Sequence, residues 1–387
     1  MTSGPEGSPL VGRRYDVEVG PVAHGGHCVA RLPEEVPDVG GTVVFVRHTA
    51  PGEQVTVEVT EGRVGDRFLR ADAVQVHRPS PDRVAPPCSY AGPGLCGGCD
   101  FQHLAVPAQR RLKGAVVAEQ LRRLAGVERD VVVEGVPGDD EGLRYRTRMR
   151  FHPAGEGRLG LRAHRSHRVV PIDDCLLQAP GAVVAVEGEP GRDRSVTEEV
   201  LGHRYEVAED GFWQVHQGAP ATLMGAVLEG AGVRAGDRVL DLYSGVGLFT
   251  VPLAEATGER GRVLAVEGDR VAVDHARGNL ASYGWVDVVR GSVGRVLERD
   301  RSGPYDVVVL DPPREGAKRA VVEQVAARRP RTVVHVACDP ASFARDVALF
   351  AREGYLLEGI RAFDLFPMTQ HVEVVGTLSR SGGSEIA

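Results

Sequence analysis

The sequence predicts an α/β protein in three parts: a C-terminal open, mostly parallel sheet flanked by helices, an N-terminal small β-barrel, and a central α+β segment rich in cysteine and arginine. Three observations carry this prediction. From about residue 206 the pattern strand, glycine turn, helix, strand repeats, as parallel strands with crossover helices require. Residues 11 to 78 read instead as short strands cut by Gly25-Gly26, Gly40-Gly41 and Pro51-Gly52. Between the two lie Cys88, Cys96, Cys99 and Cys175. With 387 residues, each part has enough chain to bury a core.

In chain order, the first strands are expected at Arg14 to Val19, Thr42 to Val46, Gln54 to Thr60 and Phe68 to Val76. Short strands with such punctuation favour a small β-barrel. The turn Ala50-Pro51-Gly52-Glu53 before an alternating strand resembles the TRAM domain, an OB-like barrel that accompanies RNA-modifying enzymes. Cys28, in the stretch His27 to Leu32, has no cysteine partner nearby and reads as a core residue. The barrel is placed at residues 1–78, and a proline-rich linker, Pro79 to Pro87, opens a central domain at 79–205. A helix is expected from about Val106 to Ala125, with Pro107 at its start and Gly126 as its C-cap. Leu112, Val116, Val117, Leu121 and Leu124 give it a packing stripe, which can lie on the C-terminal domain at 206–387.

Charge is unevenly distributed. The chain carries a formal −7, which argues against a generally RNA-coating surface, yet Gly142 to Ile172 holds eight arginines against the single acid Glu156. In Arg144 to Phe151 the residues alternate as in a strand, so Arg144, Arg146, Arg148 and Arg150 are expected on one face, as a row suited to an RNA backbone. A solvated strand face is the plainer reading of the same pattern. No apolar run approaches membrane-span length, and the polar start, Met1 to Pro9, lacks a signal-peptide pattern, so a cytoplasmic, monomeric protein is expected. Six cysteines in such a chain point to metal or catalytic use over disulfides.

The C-terminal domain carries three acids at strand ends. Arg238 to Leu242 is an apolar strand holding Asp241, followed by a turn at Gly245 and Gly247 where backbone can approach a nucleoside closely. A second strand ends at Glu267, whose carboxylate can accept from ribose hydroxyls, and a third ends in Asp311-Pro312-Pro313-Arg314. Thr250 stands where a dinucleotide fingerprint needs a small residue, and the order Asp-x-x-x-Gly-x-Gly is that of class I (Rossmann-like) methyltransferases. The next strand, Thr332 to Ala337, delivers Cys338 to the same end of the sheet, where a lone cysteine is a candidate nucleophile. Glu373 lies within an apolar strand near the C-terminus, and a buried acid there suits proton transfer.

Asp241 to Thr250, Asp311 to Gly316, Ala337-Cys338-Asp339-Pro340-Ala341 and Phe366-Pro-Met-Thr-Gln-His-Val-Glu373 together resemble the RNA 5-methyluridine (uracil-C5) methyltransferase family over nearly the whole chain. The resemblance implies Cys338 as covalent nucleophile, Glu373 as base, and S-adenosylmethionine contacts from Gln214, Tyr243, Glu267 and Asp311. The chain departs from the family at His216 and Asp339, where asparagine is common, and at Leu248, where a polar residue is. Cys88, Cys96, Cys99 and Cys175 suit zinc or an iron–sulfur cluster, and spacing alone leaves both open. Their arrangement with the TRAM-like barrel resembles rRNA-directed members that hold a [4Fe–4S] cluster, so 23S rRNA is favoured over tRNA. Two rivals remain. A 5-methylcytosine methyltransferase would show a Pro-Cys pair where Ala337 stands, and a non-catalytic iron–sulfur RNA-binding protein would lack Cys338 and Glu373.

Overall fold

The computed structural model describes residues 8–189 and 194–380. Five strands close the barrel: β1 (Arg14–Val22), β2 (Cys28–Arg31), β3 (Val43–Arg47), β4 (Gln54–Glu61) and β5 (Phe68–Arg78), in the order β1-β2-β3-β5-β4. Strand alternation builds its core: Val55, Val57 and Val59 of β4 point inward while Gln54 and Glu58 face solvent. Cys28 is buried there and its Sγ meets the Thr49 carbonyl at 3.6 Å, a core cysteine as the sequence suggests. Glu53, fully buried at the expected turn, accepts from Ala50 N (2.9 Å) and Ser80 N (3.0 Å) and pairs with Arg83, tying barrel to linker.

Helix α1 (Val106–Gln120) runs into a π-helical turn, Leu121–Ala125, which Gly126 ends in the left-handed region (φ 66°). Strand β6 (Val133–Gly135) then pairs in parallel with the far edge of the C-terminal sheet. Residues 106–135 therefore pack with that sheet, although they precede residue 206. A buried ion pair fixes the packing: Lys113 Nζ donates to Asp364 at 2.5 Å and to the Phe366 carbonyl at 3.0 Å, with Arg110 beside it. Removing one partner of such a pair leaves an uncompensated buried charge, at a cost of about 3–5 kcal/mol.

The central part contains a four-stranded sheet from β7 (Arg146–Pro153), β8 (Leu159–Arg162), β9 (Val169–Pro171) and β10 (Gln178–Val186), then a hairpin of β11 (Ser195–Val200) and β12 (His203–Ala208). The expected row of four outward arginines is not formed. Arg144 precedes the strand in the left-handed region (φ 53°), and its guanidinium grips Asp174 and the Cys175 carbonyl. Arg148 is largely buried on Glu198 and the carbonyls of Ala208 and Glu209. Arg146 and Arg150 line the cavity that the cysteines share, and of the four only Arg150 is well exposed.

The C-terminal domain alternates α2 (Ala219–Ala231), β13 (Arg238–Leu242), α3 (Thr250–Thr257), β14 (Arg262–Glu267), α4 (Arg270–Asn279), β15 (Val286–Arg290), α5 (Val293–Arg299), β16 (Val307–Leu310), α6 (Lys318–Ala327), β17 (Thr332–Ala337) and α7 (Pro340–Arg352), ending in β18 (Tyr355–Asp364) and β19 (Glu373–Arg380). The sheet order is β15-β14-β13-β16-β17-β19-β18-β6. Strands β13 to β17 are parallel and β19 is inserted antiparallel between β17 and β18. Its strands are near-continuous Val and Leu because helices cover both faces. Order reverses between β13 and β16, and ligands of open α/β sheets bind outside the carboxyl ends at such a point. Among the described residues no helix is long and apolar enough to cross a membrane.

Candidate active site

The β13 end builds the first half of the site. Tyr243 and Ser244 both donate their backbone N–H to the Val266 carbonyl (2.8 and 3.1 Å), and Tyr243 is held at φ 64°, unusual for a residue with a side chain. Gly245 (φ 56°) and Gly247 (φ 95°) complete a turn that favours glycine. Glu267, at the end of β14, accepts from Gly245 N at 3.0 Å, Gly268 N at 2.6 Å and Asp269 N at 2.7 Å. The carboxylate is thus fixed in place by loop amides, with lone-pair capacity to spare for hydroxyls.

Asp241 is buried, and Thr250 Oγ1 donates to its Oδ2 at 2.5 Å. Its Oδ1 and the Ser244 hydroxyl are buried without a partner among the described residues. Unsatisfied polar atoms beside a glycine turn fit a polar ligand, and the acids fit one carrying positive charge, as S-adenosylmethionine does. Burial pushes Asp241 up to about 7, despite Thr250, and pushes Asp311 up to about 6. Gln214 is buried on the segment joining β12 to α2.

A pH dependence follows. A bound sulfonium favours both acids in ionised form, so binding should release protons and weaken as pH falls through the free-protein values. Affinity for S-adenosylmethionine is expected to be level above about pH 7 and to drop by up to about tenfold per unit for each acid that must ionise. Titration calorimetry between pH 5 and 8 checks this, and a flat profile would remove the two acids from cofactor recognition.

The second half lies one strand further along. The last pair in the antiparallel register of β17 and β19 is Ala337 with Val374, so Cys338 and Glu373 are the next residues beyond it on each strand, and the Glu373 charge acts on the Cys338 thiol. Burial, then the Glu373 charge, pushes the Cys338 thiol up to about 11, and Arg314 opposes this. Burial and then Asp311 lift Glu373 well above the usual carboxylate range, again against Arg314. Arg314, exposed after the Pro312-Pro313 pair, is thus a positive group acting on both Cys338 and Glu373, which its position in the sequence did not suggest.

The loop leading to Glu373 is clamped by the cysteine segment. Asp100 N and Phe101 N both donate to the Met368 carbonyl at 2.9 Å, and Asp100 Oδ2 accepts from Gln370 N at 3.0 Å. Gln109 accepts from Met368 N at 2.8 Å, and the Tyr145 hydroxyl donates to the Pro367 carbonyl at 3.1 Å. Nothing in the local pattern around Asp100 signals this, apart from its place next to Cys99.

Cys88, Cys96, Cys99 and Cys175, all free thiols, line one cavity of about 190 Å3 together with Arg146 and Arg150. Burial raises Cys96, Cys175 and Cys99, the last to about 12, with a further upward push on each from neighbouring thiols. Among the described residues no three His, Cys, Asp or Glu side chains are grouped to hold one metal ion.

The three departures are absorbed locally. His216 is buried, stacks on Tyr145 at 5.0 Å and accepts from Gly218 N through Nδ1 at 3.1 Å. Leu248 is buried and offers its carbonyl to the Tyr205 hydroxyl at 3.2 Å. Asp339 caps α7 by accepting from Ser342 N at 2.7 Å.

Comparison with known proteins agrees with this layout. Residues 10–74 match the TRAM domain family, and residues 221–331 match the methyltransferase small domain family. An uncharacterized RNA methyltransferase of Streptomyces coelicolor is 44% identical, covering 95% of this chain and 93% of its own. The 23S rRNA (uracil(1939)-C(5))-methyltransferase RlmD of Halomonas elongata is 32% identical, covering 94% and 88%. Among solved structures, the Pyrococcus abyssi tRNA (uracil-54, C5)-methyltransferase, in complex with S-adenosylhomocysteine, superposes over 94% of this chain and all of its own with a TM-score of 0.66 at 20% identity. That likeness shows the shared fold, a class I methyltransferase domain behind a TRAM barrel. With relatives this similar over nearly its full length, the chain belongs to the TRAM-containing RNA methyltransferase family.

Proposed function

We propose that the protein transfers a methyl group from S-adenosylmethionine to C5 of a uracil in RNA through a covalent Cys338 adduct. The observation that supports this is the β17–β19 register, which ends one residue short of Cys338 and Glu373, with the Glu373 charge acting on the thiol, at the sheet end that bears Asp241, Glu267 and Asp311. S-adenosylmethionine, when bound, supplies the methyl group and a positive charge next to these acids. Cys338 loses its proton to solvent, with Arg314 favouring the anion, and the thiolate adds to C6 of the pyrimidine. The electron pair this places on C5 would form the new C–CH3 bond as the methyl–sulfur bond breaks, its electrons staying on sulfur and leaving S-adenosylhomocysteine. Glu373 then takes the C5 proton, the C5–C6 double bond re-forms, and the thiolate leaves. A carboxyl with raised proton affinity is a stronger base than an ordinary one, and the cofactor's positive charge favours its ionised form beforehand. A stacked base cannot reach Cys338, so the target uridine lies in a loop or is flipped out. Arg150, exposed at the rim of the cysteine cavity, is the arginine of the four best placed for RNA backbone.

The substrate reading is 23S rRNA. It rests on the RlmD relatives, which are similar over nearly the whole chain, whereas the tRNA enzyme shares the fold at lower identity. Mapping 5-methyluridine in ribosomal and transfer RNA from a strain lacking the gene tests it: a missing mark in 23S rRNA supports the reading, and a missing mark in tRNA replaces it.

The four cysteines are proposed to hold a [4Fe–4S] cluster. The thiols surround a space rather than a point, and two guanidinium groups beside them offset the negative charge of four thiolates. The cluster's role here is to hold Cys99 and, through Asp100, the loop that carries Glu373. Anaerobically purified protein should be brown with about four irons and four sulfides per chain, and Cys99→Ser should lose them and melt earlier. One zinc per chain in colourless protein would replace the cluster.

A further inference from the structure

A tight loop of the barrel, Ala23 to His27, meets Gln370 and Asp339, on the segments that carry Glu373 and Cys338. Ala23 N donates to the His27 carbonyl at 2.7 Å and Gly26 N to the Ala23 carbonyl at 3.1 Å, so the loop is folded back on itself. Gly26 (φ 76°) presses on the segment before Glu373: a Cβ there would lie 2.6 Å from Cβ of Gln370. Two residues earlier, His24 Nε2 is 2.7 Å from Asp339 Oδ2. Asp339 follows Cys338 directly, and its other oxygen caps α7 at Ser342 N. One carboxylate therefore joins helix and barrel at the turn that holds the nucleophile.

We infer that His24 is a positioning residue: by clamping Asp339 it fixes the turn from which Cys338 addresses the base. This rests on the reading of Cys338 as nucleophile. The hydrogen bond to Asp339 raises the His24 pKa above its ordinary value, and despite burial the partnership holds Asp339 down at about 2. Arg345 of α7 and Glu119 of α1 also act on His24, with opposite signs. The ionic part of the pair is present while His24 is protonated and weakens as pH rises through the elevated His24 value. An asparagine at 339 would keep the helix cap and give up this charge, so the departure at Asp339 pairs with a histidine on the barrel. Both partners are partly open to solvent, with side chains 39% and 24% exposed, which leaves geometry as the main contribution over stability.

The test is single-turnover adduct formation by full-length protein with a 5-fluorouridine RNA at saturating RNA and S-adenosylmethionine. His24→Ala should slow the adduct by about tenfold, the scale of a modest misplacement of a reacting group, with RNA affinity unchanged. His24→Gln, which can still donate to Asp339, should recover most of the rate. Asp339→Asn should remove the fall in rate that accompanies His24 deprotonation while keeping the melting temperature. A His24→Ala rate equal to wild type, or a loss confined to RNA affinity, overturns the inference while leaving the covalent mechanism intact. Absence of any adduct in the wild type overturns both.

Discussion

Cys338→Ala should abolish methyl transfer to RNA while leaving S-adenosylmethionine binding intact. In the proposed reaction the thiol adds to the base, and the acids proposed to face the cofactor, Asp241, Glu267 and Asp311, lie on or just after other strands. Removing a covalent nucleophile typically costs at least about 10^4-fold in turnover. Cys338 is only partly buried, so the stability change should stay within about 1 kcal/mol. Labelled-methyl incorporation and calorimetric cofactor binding on one preparation check both halves. Turnover within tenfold of wild type would remove the thiol from the reaction.

Glu373→Gln should stall the reaction one step later. Glutamine keeps the shape but accepts no proton, so addition and methyl transfer proceed and elimination does not. A methylated protein–RNA adduct should accumulate, with turnover reduced by about 10^2- to 10^4-fold. Stability moves the other way. Because the folded Glu373 pKa lies well above the ordinary value, the wild type loses stability as pH rises from the ordinary carboxylate range toward that raised value. The glutamine variant lacks this loss, so at pH 8 it should melt at or above the wild-type temperature. Normal turnover by the variant would mean that water or another group removes the C5 proton.

The features legible in the sequence were those set by local pattern. Asp241, Glu267 and Asp311 stand out because each is at or next to the end of an apolar strand, and the barrel strands because glycines and prolines punctuate them. Features that depend on chain segments far apart were not legible. The approach of Cys338 and Glu373 depends on β19 inserting antiparallel beside β17, which neither strand's composition announces. The stripe on the helix at 106–125 allowed it to lie on the C-terminal domain, but β6, with three residues too short to show a period, gave no sign that it would extend that sheet. The clamps at His24–Asp339 and Asp100–Gln370 join residues 315 and 270 positions apart. The arginine row failed for a similar reason. Alternation assumed a strand beginning at Arg144, whereas Asp174, thirty positions on, holds that residue outside the strand, and Glu198 engages Arg148 fifty positions on.

The covalent step is the centre of the account, and mass spectrometry of the wild-type protein incubated with S-adenosylmethionine and a 5-fluorouridine RNA addresses it most directly. Fluorine at C5 cannot leave as a proton, so the reaction should halt after methyl transfer. The expected product is one RNA per chain carrying one added methyl group, with the crosslinked peptide mapping to Cys338. Methylated RNA released without any adduct, or an adduct on a residue other than Cys338, would contradict it.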